Sequence, residues 1–308
     1  ISFTKLLAIH LPLIFVLTNN KLIYSLIFLL VLVVGYFTTN YDNTSSSYEN
    51  NIDNNNEVLV YFIDVGQADA IYIKDGSSNM MIDAGNNADG KLLVKYLQSL
   101  NVDEFKYVVG THAHEDHIGG MDDIINNFKI DNFYMPEAIS TSKTFEDVLD
   151  ALDKNKVIFK TPKIGDKFTL ENTNFEVLSI GTDTSDLNDT SLVLKMNYNN
   201  TCVLFMGDAS SNIEENLLNK DINCQVLKVG HHGSRYSSSE DFIKKVNPAY
   251  GIIMVGKDNK YGHPTKKTLD ILNKYNVTIH RTDEEGTILM HLKGNDITFE
   301  NFKTETNG

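Results

Sequence analysis

The pattern of apolar and polar positions divides the chain into three stretches. Leu22–Phe37 reads LIYSLIFLLVLVVGYF, sixteen residues without a charge. At about 1.5 Å per helical residue this falls short of a ~30 Å hydrocarbon core, but Asn19, Asn20, Thr38 and Thr39 extend it toward the interfaces. An earlier apolar run, Leu6–Leu17, is interrupted by His10 and Pro12. Residues 1–39 are therefore expected to form one or two transmembrane helices, as an anchor or a hairpin. No small-x-small pair and no lipobox cysteine marks a cleavage site, so a retained anchor is expected over a signal peptide. The chain opens on Ile1 and not on Met, which leaves room for further membrane helices before it. Residues 40–56 are rich in Asn and Ser and lack apolar periodicity, the composition of a disordered linker.

From residue 57 the pattern becomes that of a packed domain, expected to run to 308. β-Rich runs come first: 58–65, 70–74 and 79–83, separated by turn residues such as Asp75-Gly76-Ser77-Ser78. Leu and Val then recur at helical spacing over 91–100, and 105–110 (FKYVVG) reads as a buried strand. Further strands are expected at 174–180, 191–198, 202–206, 225–229 and 252–255. Helices fit at 120–128, 144–152, 211–219, 239–246 and 265–275. Strands first, then alternating strand and helix, repeated twice, is the order of a layered α/β domain.

Charge sharpens this division. The formal net charge is −14, with 41 acids against 27 bases, and Arg235 and Arg281 are the two arginines. Residues 1–40 hold Lys5 and Lys21 and no acid, so the rest of the chain carries −16. Such a body excludes a protein that grips nucleic acid by a broad basic surface, though not an enzyme that meets a polyanion through bound metal ions. Lys21, just before the longer apolar run, favours a cytoplasmic start and a body on the far side of the membrane. Two cysteines exclude a disulfide-rich scaffold and a four-cysteine zinc finger. Cys202 and Cys224 near strand starts are either buried thiols or, if those strands are neighbours outside the cytoplasm, a disulfide.

The densest chemistry lies in Thr111–Gly120, THAHEDHIGG, directly after an apolar strand. Alternate residues of an extended loop point the same way, so His112 and His114 can reach one metal ion. Asp116 and His117, at the turn into a helix, can reach a second. Imidazole and carboxylate suit Zn, Fe or Mn. Gly119 and Gly120 let the helix begin close to such a site.

HxHxDH after a strand resembles the metallo-β-lactamase fold, an αβ/βα four-layer sandwich with one or two metals at its edge. Asp83 in IDAG, Asp208 in LFMGD and His231 and His232 in VGHHGS are similar to that fold's other motifs. FIDVGQADA from Phe62, NDTSLVL from Asn188, LKVGHHGS from Leu227 and NKYGHP from Asn259 narrow the match. Together they resemble the hydrolase domain of ComEC-type competence proteins, membrane proteins of bacterial DNA uptake. The resemblance covers about 58 to 291. Two departures stand out. Ala68 occupies a position where that family usually has Gly, and no histidine precedes the GD strand, where Asp186, Asn188, Asp189 and Ser191 stand instead. An oxygen from Asn188 or Asp189 would complete the His112/His114 site and shift its preference toward a harder ion.

The resemblance implies two divalent ions, Zn²⁺ or Mn²⁺. The ligands would be His112, His114, Asp116, His117, Asp189, Asp208 and His231 or His232, with Asp208 bridging. Asp64, Asp83 and Asn188 would support them, and Asp116 would also orient a water. Ser234, Arg235 and His263 would touch substrate, His263 also as a proton donor. His280 and His291 lack metal-type spacing and are expected to be structural. The expected activity is metal-dependent phosphodiester hydrolysis of DNA by a membrane-tethered, extracytoplasmic domain, with a competence-type DNA channel as an expected partner. Two alternatives stay open: hydrolysis of a lactone, lactam or thioester, and an inactive module that guides DNA or scaffolds an assembly.

Overall fold

A computed structural model describes residues 57–137, 140–181 and 185–302. The expected anchor (1–39) and linker (40–56) lie outside the described residues. Among the described residues no helix is long and apolar enough to cross a membrane.

Two sheets carry the domain. The first contains β1 (Glu57–Phe62), β2 (Ile71–Asp75), β3 (Ser78–Ile82), β4 (Tyr107–Val109), β5 (Phe133–Tyr134), β6 (Phe159–Lys160) and, from the end of the chain, β14 (Thr287–Lys293) and β15 (Asp296–Phe302). The second contains β7 (Lys167–Thr169), β8 (Asn174–Ser179), β9 (Val193–Tyr198), β10 (Thr201–Phe205), β11 (Val226–Lys228), β12 (Tyr250–Ile253) and β13 (Thr278–Arg281). The orders are β15-β14-β1-β2-β3-β4-β5-β6 and β13-β12-β11-β10-β9-β8-β7. Each sheet begins as an antiparallel meander and ends in parallel strands, β3 to β6 and β10 to β13. This is the doubled order of strands then strand–helix pairs expected from the chain.

The helices are α1 (Gly90–Ser99), α2 (Glu115–Ile118), α3 (Met121–Asn127), α4 (Lys143–Asn155), α5 (Ser211–Leu217), α6 (Glu240–Val246), α7 (Lys266–Lys274) and α8 (Thr282–Glu285). Val58, Val60, Phe62, Ile71 and Ile73 of the first sheet pack against Phe175, Val177, Leu194, Val203 and Phe205 of the second. The outer face of the first sheet buries Tyr72, Met81 and Val108 under Leu93, Ile124 and Val148 of the helices. The outer face of the second buries Leu204, Leu227 and Ile253 under Leu217, Phe242 and Leu272. The result is a four-layer αβ/βα sandwich. Strands covered on both faces need apolar residues on both, which is why β10 (TCVLF) is buried at every position and reads as an unbroken run.

Topology also sets the site's place. In an open α/β sheet, ligands bind beyond the carboxyl ends of parallel strands. Here Asp83 follows β3, His112 follows β4, Asp208 follows β10, and His231 and His232 follow β11. β2 and β9 run antiparallel to β3 and β10, so the residues just before them, Asp69 and Asn188–Ser191, reach the same edge.

Candidate metal centre

Each motif turns sharply as it leaves its strand. Asp83, His231 and His232 adopt left-handed backbone angles, with φ of 59°, 50° and 51°. Such angles cost non-glycine residues energy and persist where surrounding structure holds them. After β10 the chain turns at Gly207, whose φ is +53°. Gly119 lets α2 approach the loop after β3: a Cβ there would lie 2.2 Å from the backbone of Asn86 and Asn87. Ala68, where the related family usually has Gly, keeps an ordinary φ.

Hydrogen bonds fix the rings. The Asp83 carboxylate accepts from the Thr111 N–H and hydroxyl, each at 2.7 Å, and lies 2.8 Å from His117 Nδ1. That contact leaves His117 Nε2 directed inward, 3.3 Å from Asp208 Oδ2. His232 Nδ1 donates to the Met254 carbonyl at 2.8 Å, which frees its Nε2, 3.3 Å from Asp116 Oδ2 and 3.6 Å from Asp208 Oδ2. Because the Thr111 hydroxyl proton is given to Asp83, its oxygen can accept from His112 Nδ1 at 3.2 Å. His112 Nε2 then faces His114 Nδ1 at 3.0 Å. Holding the outer nitrogen and presenting the inner one is how proteins orient imidazole ligands.

The ligand atoms of Asp116, His117, Asp208 and His232 all lie within 4.8 Å of one another. His117 Nε2, His232 Nε2, Asp208 Oδ1 and Asn188 Oδ1 are buried without a hydrogen-bond partner. Buried polar atoms are rarely left so; His117, Asp208 and His232 converge on one spot that fits a divalent cation, and Asn188 lines the same cavity. The fold thus brings His117, Asp208 and His232 together with Asp116. Of the two adjacent histidines, His232 is buried, whereas His231 lies on the cavity wall with Nε2 3.7 Å from Asp208.

Other expected residues are placed differently. Asp189 Oδ1 accepts the Ser210 N–H, and Asp189 lines a separate cavity beside Ile213 and Leu217. Of the two expected oxygen donors, Asn188 lines the central cavity, and its Oδ1 is buried without a hydrogen-bond partner. Ser234 is 1% exposed, and its hydroxyl accepts the Tyr236 N–H, behind the wall and not on it. Asp64 accepts the Gly66 N–H and lines a neighbouring cavity. His280 pairs with Glu285 and His291 with Glu57, both structural roles.

Two residues of the centre escaped sequence reasoning. Asp69 is buried 3.8 Å from His117 Nδ1 and 3.4 Å from His232 Nδ1, and it forms an ion pair with buried Lys228. The only hint was their presence in FIDVGQADA and LKVGHHGS, where Asp69 stands between two strand runs and Lys228 passes for part of one.

Electrostatics reflect this packing. Burial alone raises the Asp208 carboxyl, but His117 and His232 overcome it and hold it well below the usual carboxylate range. Burial alone lowers His117, yet Asp208 and Asp83 drive it well above an ordinary histidine. Burial, reinforced by His117, keeps His112 well below that value. Burial, then the His231 and His232 rings, lowers His263 to about 4, so it is a neutral imidazole at pH 7.

Above these residues lies an open cavity of about 320 Å³, lined by Gln67, His114, Glu115, Asp116, Asn188, Asp208, His231, His232, Tyr261 and His263. Among the described residues no aliphatic side chain lines it.

Residues 63–257 match the family model of the Metallo-beta-lactamase superfamily. The chain is 30% identical over 261 residues to ComE operon protein 3 of Bacillus subtilis, which covers 78% of this chain and 34% of that protein. It is 26% identical to Competence protein ComA of Neisseria gonorrhoeae over 238 residues, 76% of this chain and 32% of that one. The chain thus spans about a third of the length of these curated relatives. Among solved structures, the metallo-beta-lactamase fold protein YhfI from Bacillus subtilis superposes with a TM-score of 0.52 at 11% identity, covering 79% of this chain and 99% of that one.

Proposed function

The chain belongs to the metallo-β-lactamase superfamily and is homologous to ComEC-type competence proteins, and from that premise we propose that it is a metal-dependent phosphodiesterase acting on DNA. The fold and its ligand groups imply divalent metal ions. In this reading Asp116, His117, Asp208 and His232 would hold one ion. His112 Nε2, His114 Nδ1 and the Asn188 amide oxygen would hold a second. Each set offers two imidazole nitrogens together with oxygen ligands, a mixture that suits Zn²⁺ or Mn²⁺.

Bound there, the ions would supply an activated water and a Lewis acid for the charge that develops on phosphoryl oxygens. The chain's own residues do the rest. Asp83 and Asp69 hold the histidine rings from outside. Asp116 orients the water. His263, neutral at pH 7, hydrogen-bonds the leaving oxygen, which draws its proton from solvent. Arg235 meets a phosphate outside the cavity.

The observation that carries this reading is a floor of buried, unpartnered ligand atoms beneath an open cavity walled by polar groups. Sites for small apolar acyl compounds are mostly hydrophobic. A wall of amide, imidazole and carboxylate groups suits a hydrated anion such as a phosphodiester better than a lactam, lactone or thioester. An extracytoplasmic position for the domain, tethered by the 1–39 segment, is supported by the Cys202–Cys224 disulfide.

The test is hydrolysis by the Mn²⁺- or Zn²⁺-loaded chain of single- and double-stranded DNA, beside a lactone and a β-lactam. DNA is expected to be cut, with His114→Ala and Asp208→Ala each slowed at least about 100-fold through loss of metal-assisted chemistry. DNA left intact with every metal, or cut equally by both variants, rejects the reading.

A further inference from the structure

We propose that the loop from Gly256 to Pro264, with Arg235 beside it, forms a stacking platform that receives the bases of a single-stranded nucleic acid next to the metal centre. The inference rests on the phosphodiesterase reading and adds a subsite to it. Tyr261 lines the cavity yet remains 57% exposed, an aromatic ring at the mouth of a polar site. Its ring stacks on that of His263, with centroids 5.8 Å apart and planes inclined by 27°. Lys260 Nζ lies 5.2 Å from the centre of the same ring. Nothing in the core requires an exposed tyrosine there.

The platform is rigid. Asn259 Oδ1 accepts the N–H groups of Tyr261 (3.2 Å) and His263 (3.0 Å), and its Nδ2 donates to the carbonyls of Gly256 (2.9 Å) and His263 (2.7 Å). The loop is also bound to the ligand-bearing turn. The Thr265 N–H donates to the Gly233 carbonyl at 2.9 Å, and Lys267 Nζ to the Arg235 carbonyl at 3.0 Å. A ring ordered before its partner arrives loses little freedom on binding.

Charge points the same way. Arg235 and the stretch 257–267 hold five cations, Arg235, Lys257, Lys260, Lys266 and Lys267, against one acid, Asp258, in a chain of net charge −14. Lys266 pairs with Asp270, and among the described residues the other four pair with no carboxylate. The cavity on the opposite side of Gln67 is lined by three acids, Asp64, Asp89 and Asp283, and one cation, Lys257, and would repel a phosphate backbone. A strand crossing the metal centre therefore leaves over Tyr261. Non-specific single-strand sites are built this way, with cations for the backbone and aromatic rings for the bases. A duplex keeps its bases stacked inside and cannot use the ring.

The experiment reads binding by fluorescence anisotropy in Ca²⁺ and cleavage in Mn²⁺, with the full chain. The probes are a labelled oligothymidylate, an abasic strand of equal length and a duplex. The wild-type chain is expected to prefer the base-bearing strand over the abasic one about tenfold, in the range of one stacked base. Tyr261→Ala should bring that ratio near one, and Tyr261→Phe should restore it. Arg235→Ala with Lys260→Ala should weaken both strands alike and flatten the salt dependence. A ratio unmoved by Tyr261→Ala, equal preference for duplex, or no binding of single strands overturns the platform. Binding needs no chemistry, so a chain that stacks bases through Tyr261 but cuts nothing rejects the hydrolase reading alone. One that cuts DNA with an unmoved ratio rejects the platform alone.

Discussion

Four carboxylates, Asp69, Asp83, Asp116 and Asp208, converge on the centre, and Lys228 is the single ammonium group buried among them. Burial lowers the Lys228 ammonium, but Asp69 and then Asp208 reverse this and raise it above an ordinary lysine. Removing one partner of a buried ion pair leaves the other charge uncompensated, a loss of about 3–5 kcal/mol. Lys228→Met is therefore expected to lower denaturant-unfolding stability by about that much, and adding Asp69→Asn should recover part of it. Equal loss in the single and double variants would show that the pair is not coupled. The histidines of the centre were legible because THAHEDHIGG and VGHHGS concentrate metal-type residues in short stretches. Asp69 and Lys228 were not: each is one polar residue beside an apolar run, and they meet only because β2 and β11 of different sheets end at one edge. Asn188 and Asp189 could not be separated by sequence either. Which of two adjacent side chains faces the site depends on the 3₁₀ turn at Leu187–Thr190 and on the bond from Ser210 to Asp189.

Elements with a strong local period were read closely. The periodicity of 91–100 and 265–275 corresponds to α1 and α7, whose Leu93, Leu97 and Leu272 face the core. The two-residue strands β5 and β6 carry no period of their own, and only pairing, of β5 with β4 and of β6 with β5, defines them. α2 is a single turn whose existence depends on contact with the loop after β3. The Gly119 N–H donates to the Gly85 carbonyl at 2.8 Å, and the Ala84 N–H to that of His117 at 2.7 Å. Since a Cβ at Gly119 would collide with backbone and not with a movable side chain, Gly119→Ala should destabilise the chain by about 1–3 kcal/mol, the typical cost of overpacking. It should also displace Asp116 and His117. Thermal unfolding and metal content measured on the same sample check this, and an unchanged melting temperature with full metal would refute the contact.

At the scale of the molecule, the disulfide between Cys202 and Cys224 joins the start of β10 to the segment before β11, neighbours in the second sheet. Closing a loop of 22 residues restricts the unfolded chain by about 3 kcal/mol. Cys202→Ser with Cys224→Ser, or reductant on the native chain, should lower the unfolding free energy by roughly that amount in urea titrations. An identical midpoint with and without reductant would mean that the two thiols do not pair in solution. The charge balance also acquires a location. The body is acidic as a whole, and four of its acids, Asp69, Asp83, Asp116 and Asp208, stand at the metal centre, while Lys260 and Arg235, which among the described residues pair with no carboxylate, lie on or beside the loop that carries Tyr261.

What the sequence determined by itself was the layered α/β class, the order of its motifs and the chemical kind of the site. These follow from local facts: strand and helix periods, turn residues, and clustered imidazole and carboxylate groups. The tertiary structure decided that His232 and not His231 is buried in the centre, and that Asn188 and not Asp189 faces it. It also decided that Asp69 and Lys228 belong there, and that Cys202 and Cys224 are bonded. Each of those outcomes depends on which strands become neighbours and which way a side chain points at a strand's end. Only the packing of one sheet on the other sets both.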